Sequence, residues 1–160
     1  MYHAIVKRRI RGVFLEELSR GDFAAVVSRT APGVVHTFPG DGALAGTRRS
    51  RDALTAWFER LFRLLPVLRF EVDDMVVSGW PWRTLVAACW RNWGEAADGE
   101  RYENRGCEVF ELRWGRAVRI EQYLDTQVVH EHLERMAAAG IAEAGRPPLS
   151  TPLAPAGQRR

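Results

Sequence analysis

The feature that most constrains this fold is a change in hydrophobic period at Pro66. Before Pro66, apolar residues recur at helical spacing over residues 3–20 and 50–65. After it the period becomes two, which predicts four strands, over residues 68–78, 84–94, 102–114 and 117–125. Helices followed by a run of antiparallel strands are the plan of an α+β domain.

Capping residues predict where the helices begin. Asp22 is placed to cap a second helix that runs to about Arg29, and Ser50 to cap the third. Asp125 or Thr126 is placed to cap a last helix that ends at Gly140. Between the second and third helices, Val34–Phe38 is a candidate short strand.

The composition predicts one domain with a tail. A chain of 160 residues with 46% hydrophobic and 27% charged residues is typical of a soluble globular domain. We expect that domain to span residues 1–140. Residues 141–160 are rich in Pro, Ala and Gly and are expected to form a flexible, disordered tail.

The charge pattern excludes some partners. The net charge is +3, but the basic residues are scattered and alternate with acids, so a nucleic-acid partner is not expected. No apolar run reaches the ~18–20 residues of a membrane span, so no membrane partner is expected. With two cysteines, Cys89 and Cys107, and no secretory signal, a cytoplasmic location is expected.

The register of the hairpin around Asp98-Gly99 decides which residues share a face. A two-residue turn there pairs Cys89 with Glu108, Arg91 with Gly106, and Trp93 with Asn104. Phe110 and Leu112 continue the same side of the second strand, which identifies it as the inner face, toward the core. In this register Cys89 and Cys107 point to opposite faces and form no disulfide.

Glu108 is the strongest candidate for chemistry on the inner face. As a general acid or base, its charge state would be set by burial against Arg91. The alternative is an ion pair with Arg91 that only stabilises the sheet. An arginine partner would hold Glu108 ionised, which favours a base over a neutral hydrogen-bond donor.

Two amides accompany Glu108. Asn104 lies on the same side of its strand, and Gln122 is in register with the apolar residues Ile120 and Leu124. Each amide can hold a substrate carbonyl or hydroxyl group, or can satisfy backbone groups instead.

Four short segments carry a resemblance to a known family. They are Ser19–Phe23, Val34–Gly40, Tyr102–Gly106 and Glu121–Thr126. In order and spacing they resemble the SnoaL-like polyketide cyclases of the nuclear-transport-factor-2-like superfamily, over residues 5–135. That superfamily includes ketosteroid isomerase and limonene epoxide hydrolase. The resemblance implies a cone-shaped, strongly curved antiparallel sheet on three helices, with a deep apolar pocket and commonly a homodimer.

The superfamily's catalytic residues carry over only in part. The ketosteroid isomerase base corresponds to Thr37, its oxyanion tyrosine to Phe14, and its second oxyanion acid to Glu108. In limonene epoxide hydrolase an arginine and two aspartates are catalytic, and by the resemblance their positions are occupied here by Cys89, Arg91 and Gln122. Because that triad is absent, epoxide hydrolysis by the same residues is not expected.

A substrate pocket and one further catalytic candidate follow from these positions. The predicted substrate-binding residues are Thr37, Phe14, Trp57, Phe58, Cys89, Trp93, Phe110 and Leu124. His36 titrates near neutral pH and is a catalytic candidate, although in a regular strand it faces away from Thr37, toward the surface or a dimer interface. The histidines lack metal-ligand spacing, and neither a metal nor another cofactor is expected.

Three functional hypotheses remain open. The first is a cofactor-free enzyme for acid/base-assisted cyclisation or isomerisation of an apolar, polycyclic or polyketide-like molecule. In it Glu108 moves the proton, and Arg91 with Asn104 or Gln122 stabilises the developing enolate or alkoxide. The second is a non-catalytic ligand-binding or partner-recruiting module, with Trp80 and Trp82 as contact residues. The third is a hydrolase with a rearranged site that uses His36.

Overall fold

The structure, a computed structural model, describes residues 1–152 apart from the side chains of Phe14 and Leu15. Its four α-helices are α1 (Tyr2–Gly12), α2 (Phe23–Ser28), α3 (Arg51–Leu64) and α4 (Thr126–Ala138). A π-helical turn (Val13–Glu17) and a 3-10 turn (Leu18–Arg20) continue α1, and a 3-10 turn (Ala142–Gly145) follows α4. The strands are β1 (Thr30–Phe38), β2 (Gly46–Arg48), β3 (Val67–Trp80), β4 (Arg83–Glu95), β5 (Arg101–Arg113) and β6 (Arg116–Leu124).

The helices begin at the predicted capping residues. The side chain of Asp22 accepts from Ala25 N at 3.2 Å, and that of Ser50 accepts from Ala53 N at 3.1 Å. Asp125 caps α4. These bonds satisfy backbone donors that the first turn of a helix leaves free.

The strands form one curved, unclosed sheet in the order β2-β1-β6-β5-β4-β3. The predicted α+β architecture and the four long strands are confirmed. One pair departs from an antiparallel sheet, because β1 runs parallel to β6. The apolar stripes of α1 and α3 pack in the core against the inner face of the sheet.

The β4–β5 hairpin has a different register from the predicted one. Ala96 N donates to Glu100 O at 2.8 Å, which leaves a three-residue loop that ends at Gly99 with φ of +83°. A three-residue loop with glycine in the left-handed region is a common hairpin form. It shifts the pairing by one residue, so that Cys89 faces Cys107 and Ala88 faces Glu108.

This shift reverses the faces of β4, because successive side chains alternate. The predicted inner positions of Cys89, Arg91 and Trp93 are therefore wrong, and all three lie on the outer face. The prediction that the two cysteines point to opposite faces is wrong for the same reason. Both cysteines are free thiols on the outer face.

Part of the predicted tail is held against the sheet. Thr151 N donates to Thr47 O at 2.8 Å, and Thr47 N donates to Ser150 Oγ at 3.2 Å. A Cβ atom on Gly46 would come within 2.0 Å of that hydroxyl. Residues 149–151, which belong to the segment expected to be flexible, thus lie along the outer edge of β2. Residues 153–160, which belong to the same prediction, lie outside the described residues.

Over residues 1–152, no helix combines the length and the apolar character that crossing a bilayer requires.

Candidate functional site

Two adjoining cavities lie between the helices and the inner face of the sheet. The deep cavity has a volume of about 50 Å³ and contains Glu108. The wide cavity has a volume of about 320 Å³ and is lined mainly by apolar residues of α1, β5 and β6. Four residues line both cavities: Val13, Val26, Phe110 and Ile120. The exposed Trp114 borders the wide cavity, which therefore reaches the surface.

Glu108 is held in the deep cavity by β5 and its neighbour β6. It faces Gln122 across the strands, and Gln122 Nε2 donates to Glu108 Oε1 at 2.8 Å. Glu108 is only 6% exposed, and among the described residues no cation forms an ion pair with it. Burial raises the pKa of Glu108 to about 7, against the hydrogen bond from Gln122, which lowers it. The carboxyl group can therefore give or take a proton near neutral pH.

Two buried polar atoms of the deep cavity lack a partner. Gln122 Oε1 and Trp90 Nε1 form no hydrogen bond with any described residue, and both side chains line this cavity. An unsatisfied buried group costs about 1–3 kcal/mol, so both atoms are suited to a bound molecule.

Gly106 makes room for Trp90 in this wall. A Cβ atom at Gly106 would lie 3.0 Å from Trp90 Cζ2 and 2.4 Å from Tyr123 O. The sequence interpretation assigned this space to Arg91, and the one-residue shift of register gives it to the indole ring instead.

His36 lines the deep cavity and is almost fully buried, at 1% exposure. Its Nδ1 accepts from Arg48 Nη2 at 3.0 Å and from Arg48 Nε at 3.2 Å. Burial and the charge of Arg48 hold the pKa of His36 well below its usual value of 6.5. Thr37 points to the opposite side of β1 and shares a hydrogen bond with the hydroxyl of Thr47 at 3.2 Å. The expected orientations of His36 and Thr37 are thus interchanged.

Three of the predicted aromatic residues line the deep cavity. They are Trp57, Phe58 and Phe110. Trp57 Nε1 donates to Leu44 O at 2.7 Å, and its ring contacts that of His36 edge-on at a centroid distance of 4.5 Å. Leu124 packs against the core but lines neither cavity. The side chain of Phe14 lies outside the described residues.

Arg91 does not reach Glu108. Its side chain is 53% exposed on the outer face, where it pairs with Asp73 and Glu71 of β3. Arg91 Nε lies 2.9 Å from Asp73 Oδ1. The predicted contact between Arg91 and Glu108 is therefore wrong. Cys89 and Trp93, on the same outer face, are also separated from both cavities.

Asn104 is buried, but its hydrogen bonds connect structural elements. Its Nδ2 donates to Asp125 O at 3.0 Å and to Tyr102 Oη at 3.2 Å, and its Oδ1 accepts from Arg105 N at 2.8 Å. Both ends of the amide are thus engaged. This arrangement agrees with the alternative that Asn104 satisfies backbone groups and joins β5 to the start of α4.

The sequence interpretation missed Trp90 and Arg48. Trp90 was excluded by the assumed register alone. A signal for His36 was present, because it shares one face of β1 with the apolar residues Val34 and Phe38. No local pattern indicates that Arg48 is buried beside His36, since β2 has only three residues.

The described residues offer no metal site. Within residues 1–152, no three side chains of the His, Cys, Asp and Glu types lie close enough together to hold an ion. The polar groups of the deep cavity are instead suited to hydrogen bonding and proton transfer.

Comparison with known proteins places this geometry in a family. No protein of curated function matches the chain. An NTF2-like protein of Burkholderia thailandensis is 28% identical, with a TM-score of 0.59 over 71% of this chain and 86% of that chain. PrhC of Penicillium brasilianum is 18% identical, with a TM-score of 0.69 over 82% and 87% of the two chains. TerC, crystallised with polyporic acid, is 18% identical, with a TM-score of 0.61 over 81% and 97%.

A family model gives the assignment itself. The model of the SnoaL-like domain matches residues 13–120, which include every element from the end of α1 to the middle of β6. The matched range contains His36, Trp90 and Glu108 of the deep cavity. The chain therefore belongs to the SnoaL-like domain family of the nuclear-transport-factor-2-like superfamily.

Proposed function

We propose that this protein is a cofactor-independent enzyme that catalyses cyclisation or isomerisation of a compact, apolar, polyketide-like or polycyclic molecule by proton transfer. The observation that carries the proposal is Glu108, a buried carboxyl group with a pKa of about 7 at the base of an apolar cavity. The wide cavity, of about 320 Å³, lies at the lower end of the ~300–1,000 Å³ typical of ligand pockets. This size favours a compact substrate.

In the proposed mechanism the Glu108 carboxylate takes a proton from a carbon next to a substrate carbonyl. The electron pair of the broken C–H bond moves onto the carbonyl oxygen and gives an enolate. Trp90 Nε1–H and the imidazole of His36 are the groups available to stabilise that oxygen. Glu108 then returns the proton at a different carbon of a conjugated enolate. Alternatively, the enolate carbon attacks a second carbonyl carbon of the substrate, the π electrons of that carbonyl move onto its oxygen, and Glu108 gives its proton to the resulting alkoxide.

The test is proton exchange on a panel of bicyclic and tricyclic aromatic ketones in D₂O. NMR measures the incorporation of deuterium at the carbon next to the carbonyl. Glu108→Gln is expected to lower the exchange rate at least ~100-fold, a typical contribution of a general base. Glu103→Gln, on the outer face of the same strand, is the matched control and is expected to keep the rate. Unchanged exchange in Glu108→Gln would overturn the assignment.

A second candidate is a binding module of the same fold that performs no chemistry. It is favoured by the stacked, exposed pair Trp80 and Trp82 at the tip of the β3–β4 hairpin, with ring centroids 5.9 Å apart. Exposed tryptophans are frequent anchors in protein contacts. Tight binding of the same ketones without deuterium exchange in the wild-type protein would favour this candidate.

Hydrolysis with His36 as the general base has less support. Its Nδ1 accepts hydrogen bonds from Arg48, and its pKa lies well below 6.5. Such an imidazole is a poor acceptor for a proton from water at neutral pH.

A homodimer is proposed from the outer face of the sheet. Apolar side chains on this face include the exposed Val76, Leu85 and Tyr123. Exposed apolar patches on a sheet commonly mark an interface. Light scattering is expected to give twice the mass of the chain, and Val76→Glu is expected to give a monomer.

A cytoplasmic location is also proposed. The free thiols of Cys89 and Cys107 fit this location.

A further inference from the structure

We infer that Arg48 is a positioning residue that fixes His36 as the neutral tautomer with its proton on Nε2, so that the deep cavity selects apolar molecules ending in a carbonyl or enolate oxygen. The inference deepens the proposed function and shares with it the location of the ligand. It does not depend on turnover.

The first step is the environment of Arg48. Its side chain is 0% exposed. Arg48 Nη1 donates to Ala45 O at 2.9 Å and to Leu149 O at 3.2 Å, and Cζ lies 5.4 Å from the centroid of the Trp57 ring. Among residues 1–152, no carboxylate forms an ion pair with it. A buried guanidinium held only by neutral groups carries an uncompensated charge.

The second step is the direction of the hydrogen bonds between Arg48 and His36. A guanidinium group donates and cannot accept. Nδ1 of His36, which faces Arg48 Nε and Nη2, must therefore be the accepting nitrogen. A neutral imidazole then carries its single proton on Nε2. Charging the ring would place a second cation 3.0 Å from the arginine.

The third step is the group that remains free for a ligand. Both hydrogen bonds between His36 and Arg48 are made by Nδ1, which leaves Nε2 for a ligand, and His36 lines the deep cavity with Trp90 and Glu108. On the sheet, His36 lies beside Ile120, two residues before Gln122 on the same face. The cavity therefore presents two N–H donors, from His36 and Trp90, and a carboxyl group that donates when protonated.

This set of donors determines the class of ligand. An oxygen with two lone pairs, such as a ketone carbonyl or an enolate, can accept from the Nε2–H and Nε1–H groups together. A hydrocarbon of the same shape would leave both donors unpaired and would therefore bind less tightly. Arg48 contributes because, without it, the proton could move to Nδ1 and leave an acceptor facing the ligand.

The competing explanation is that Arg48 only anchors residues 149–151 to β2. That role would also place Leu149 O against the guanidinium. It makes no prediction about the tautomer of His36, so the tautomer separates the two explanations.

The first experiment measures the tautomer of His36 by nitrogen NMR of histidine-labelled protein. We expect the wild type to show a proton on Nε2 and no titration between pH 5 and pH 8. The ionisable groups around the ring are Arg48 from β2 and Glu108 from β5. A proton on Nδ1, or titration in this range, overturns the inference even if no variant folds.

The second experiment uses Arg48→Met, with Arg49→Met at the adjacent exposed arginine as control. We expect His36 to become a tautomer mixture or to titrate in Arg48→Met and to be unchanged in Arg49→Met. Arg48→Lys, whose ammonium group is also a cation that donates and cannot accept, is expected to keep the proton of His36 on Nε2. An unaltered His36 signal in a folded Arg48→Met protein overturns the inference.

The third experiment tests the ligand class with matched probes. Binding of 2-acetylnaphthalene and 2-ethylnaphthalene, which differ by the carbonyl oxygen, is measured by calorimetry. We expect the wild type to prefer the ketone by ~10-fold, the worth of one good hydrogen bond, and Arg48→Met to lose most of that preference. An equal affinity for both probes in the wild type overturns the inference. A ketone preference without deuterium exchange supports it and rejects the proposed catalysis.

Discussion

Glu108 and Gln122 face each other across β5 and β6, and the amide of Gln122 donates to the Glu108 carboxyl group at 2.8 Å. A neutral amide stabilises the carboxylate far less than a guanidinium would. Desolvation therefore dominates, and the pKa of Glu108 rises to about 7. Burial of this carboxyl group beside a neutral partner makes it suitable for proton transfer at neutral pH.

The first prediction concerns the dependence of rate on pH. Because the pKa of Glu108 is raised to about 7, a reaction that needs its carboxylate as base is expected to rise through that pH and then level off. Measuring kcat/KM for the ketone exchange between pH 5 and pH 9 gives the profile. A rate that is flat across this range contradicts the role of Glu108 as base.

The second prediction concerns stability and pH. The pKa of Glu108 is about 7 in the folded state and 4.5 ordinarily. Its contribution to the free energy of unfolding is therefore fully present below pH 4.5 and is lost as the pH rises through 7. The size is about 3 kcal/mol, at about 1.4 kcal/mol per pH unit. His36, with a lowered pKa, contributes in the opposite direction: its stabilisation is present above pH 6.5 and is lost as the pH falls.

Glu108→Gln separates these two contributions. From pH 6.5 to pH 8, the free energy of unfolding of the wild type is expected to fall, while that of the variant stays constant. From pH 5 to pH 6.5, the free energy of unfolding of the variant is expected to rise. Urea unfolding at each pH measures both curves. Glu103→Gln is the control and is expected to follow the wild type. Parallel curves for wild type and Glu108→Gln would contradict the raised pKa.

The third prediction concerns Cys89 and Cys107, which face each other across β4 and β5. Opposite residues of an antiparallel pair have Cα atoms about 4.5–5.5 Å apart, within the ~4.4–6.8 Å that a disulfide requires. Oxidised glutathione is therefore expected to form a bond between the two sulfur atoms within one chain and to be reduced to two glutathione molecules. Burial raises the pKa of Cys107 to about 11, so the reaction is expected to be slow near neutral pH.

Mass spectrometry under non-reducing conditions detects this bond as an internal crosslink between the two peptides. Cys89→Ser is the control and is expected to give none. The measurement also tests the register, because the two-residue turn expected from the sequence would place these cysteines on opposite faces. Crosslinks only between different chains would contradict the pairing in the structure.

The fourth prediction concerns Gly106. A Cβ atom there would lie 2.4 Å from Tyr123 O, which is backbone, and 3.0 Å from the Trp90 ring. Gly106→Ala is expected to destabilise the fold by about 1–3 kcal/mol, as overpacking does in a tight core. Gly33→Ala, where no atom lies within 4 Å of the new Cβ, is the control. Urea unfolding compares them, and equal stability would contradict the close approach.

The contrast between Arg91 and Gln122 shows how far sequence reasoning extended to the site. Both were placed on the inner face by alternation, and the structure supports only Gln122. The β5–β6 hairpin turns at Trp114-Gly115, both with positive φ, as a two-residue loop. At Asp98-Gly99 the same kind of signal belongs to a three-residue loop. One extra residue moves every side chain of β4 to the other face.

Local patterns in the sequence were enough to predict the four long strands and the helix caps, because period and capping depend on residues close together in the chain. They did not predict β2 (Gly46–Arg48). The family was indicated by the resemblance of four short segments. The sequence also determined that Glu108 lies on the inner face of β5, since Phe110 and Leu112 share its parity.

The partners of these residues depend on how the elements pack together. The loop of the β4–β5 hairpin placed Trp90 in the deep cavity and Arg91 outside it. The packing of β2 beside β1, with residues 149–151 along its edge, buries Arg48 against His36. Such contacts join residues distant in sequence, and their geometry depends on how the elements pack and not on the local pattern of any one of them.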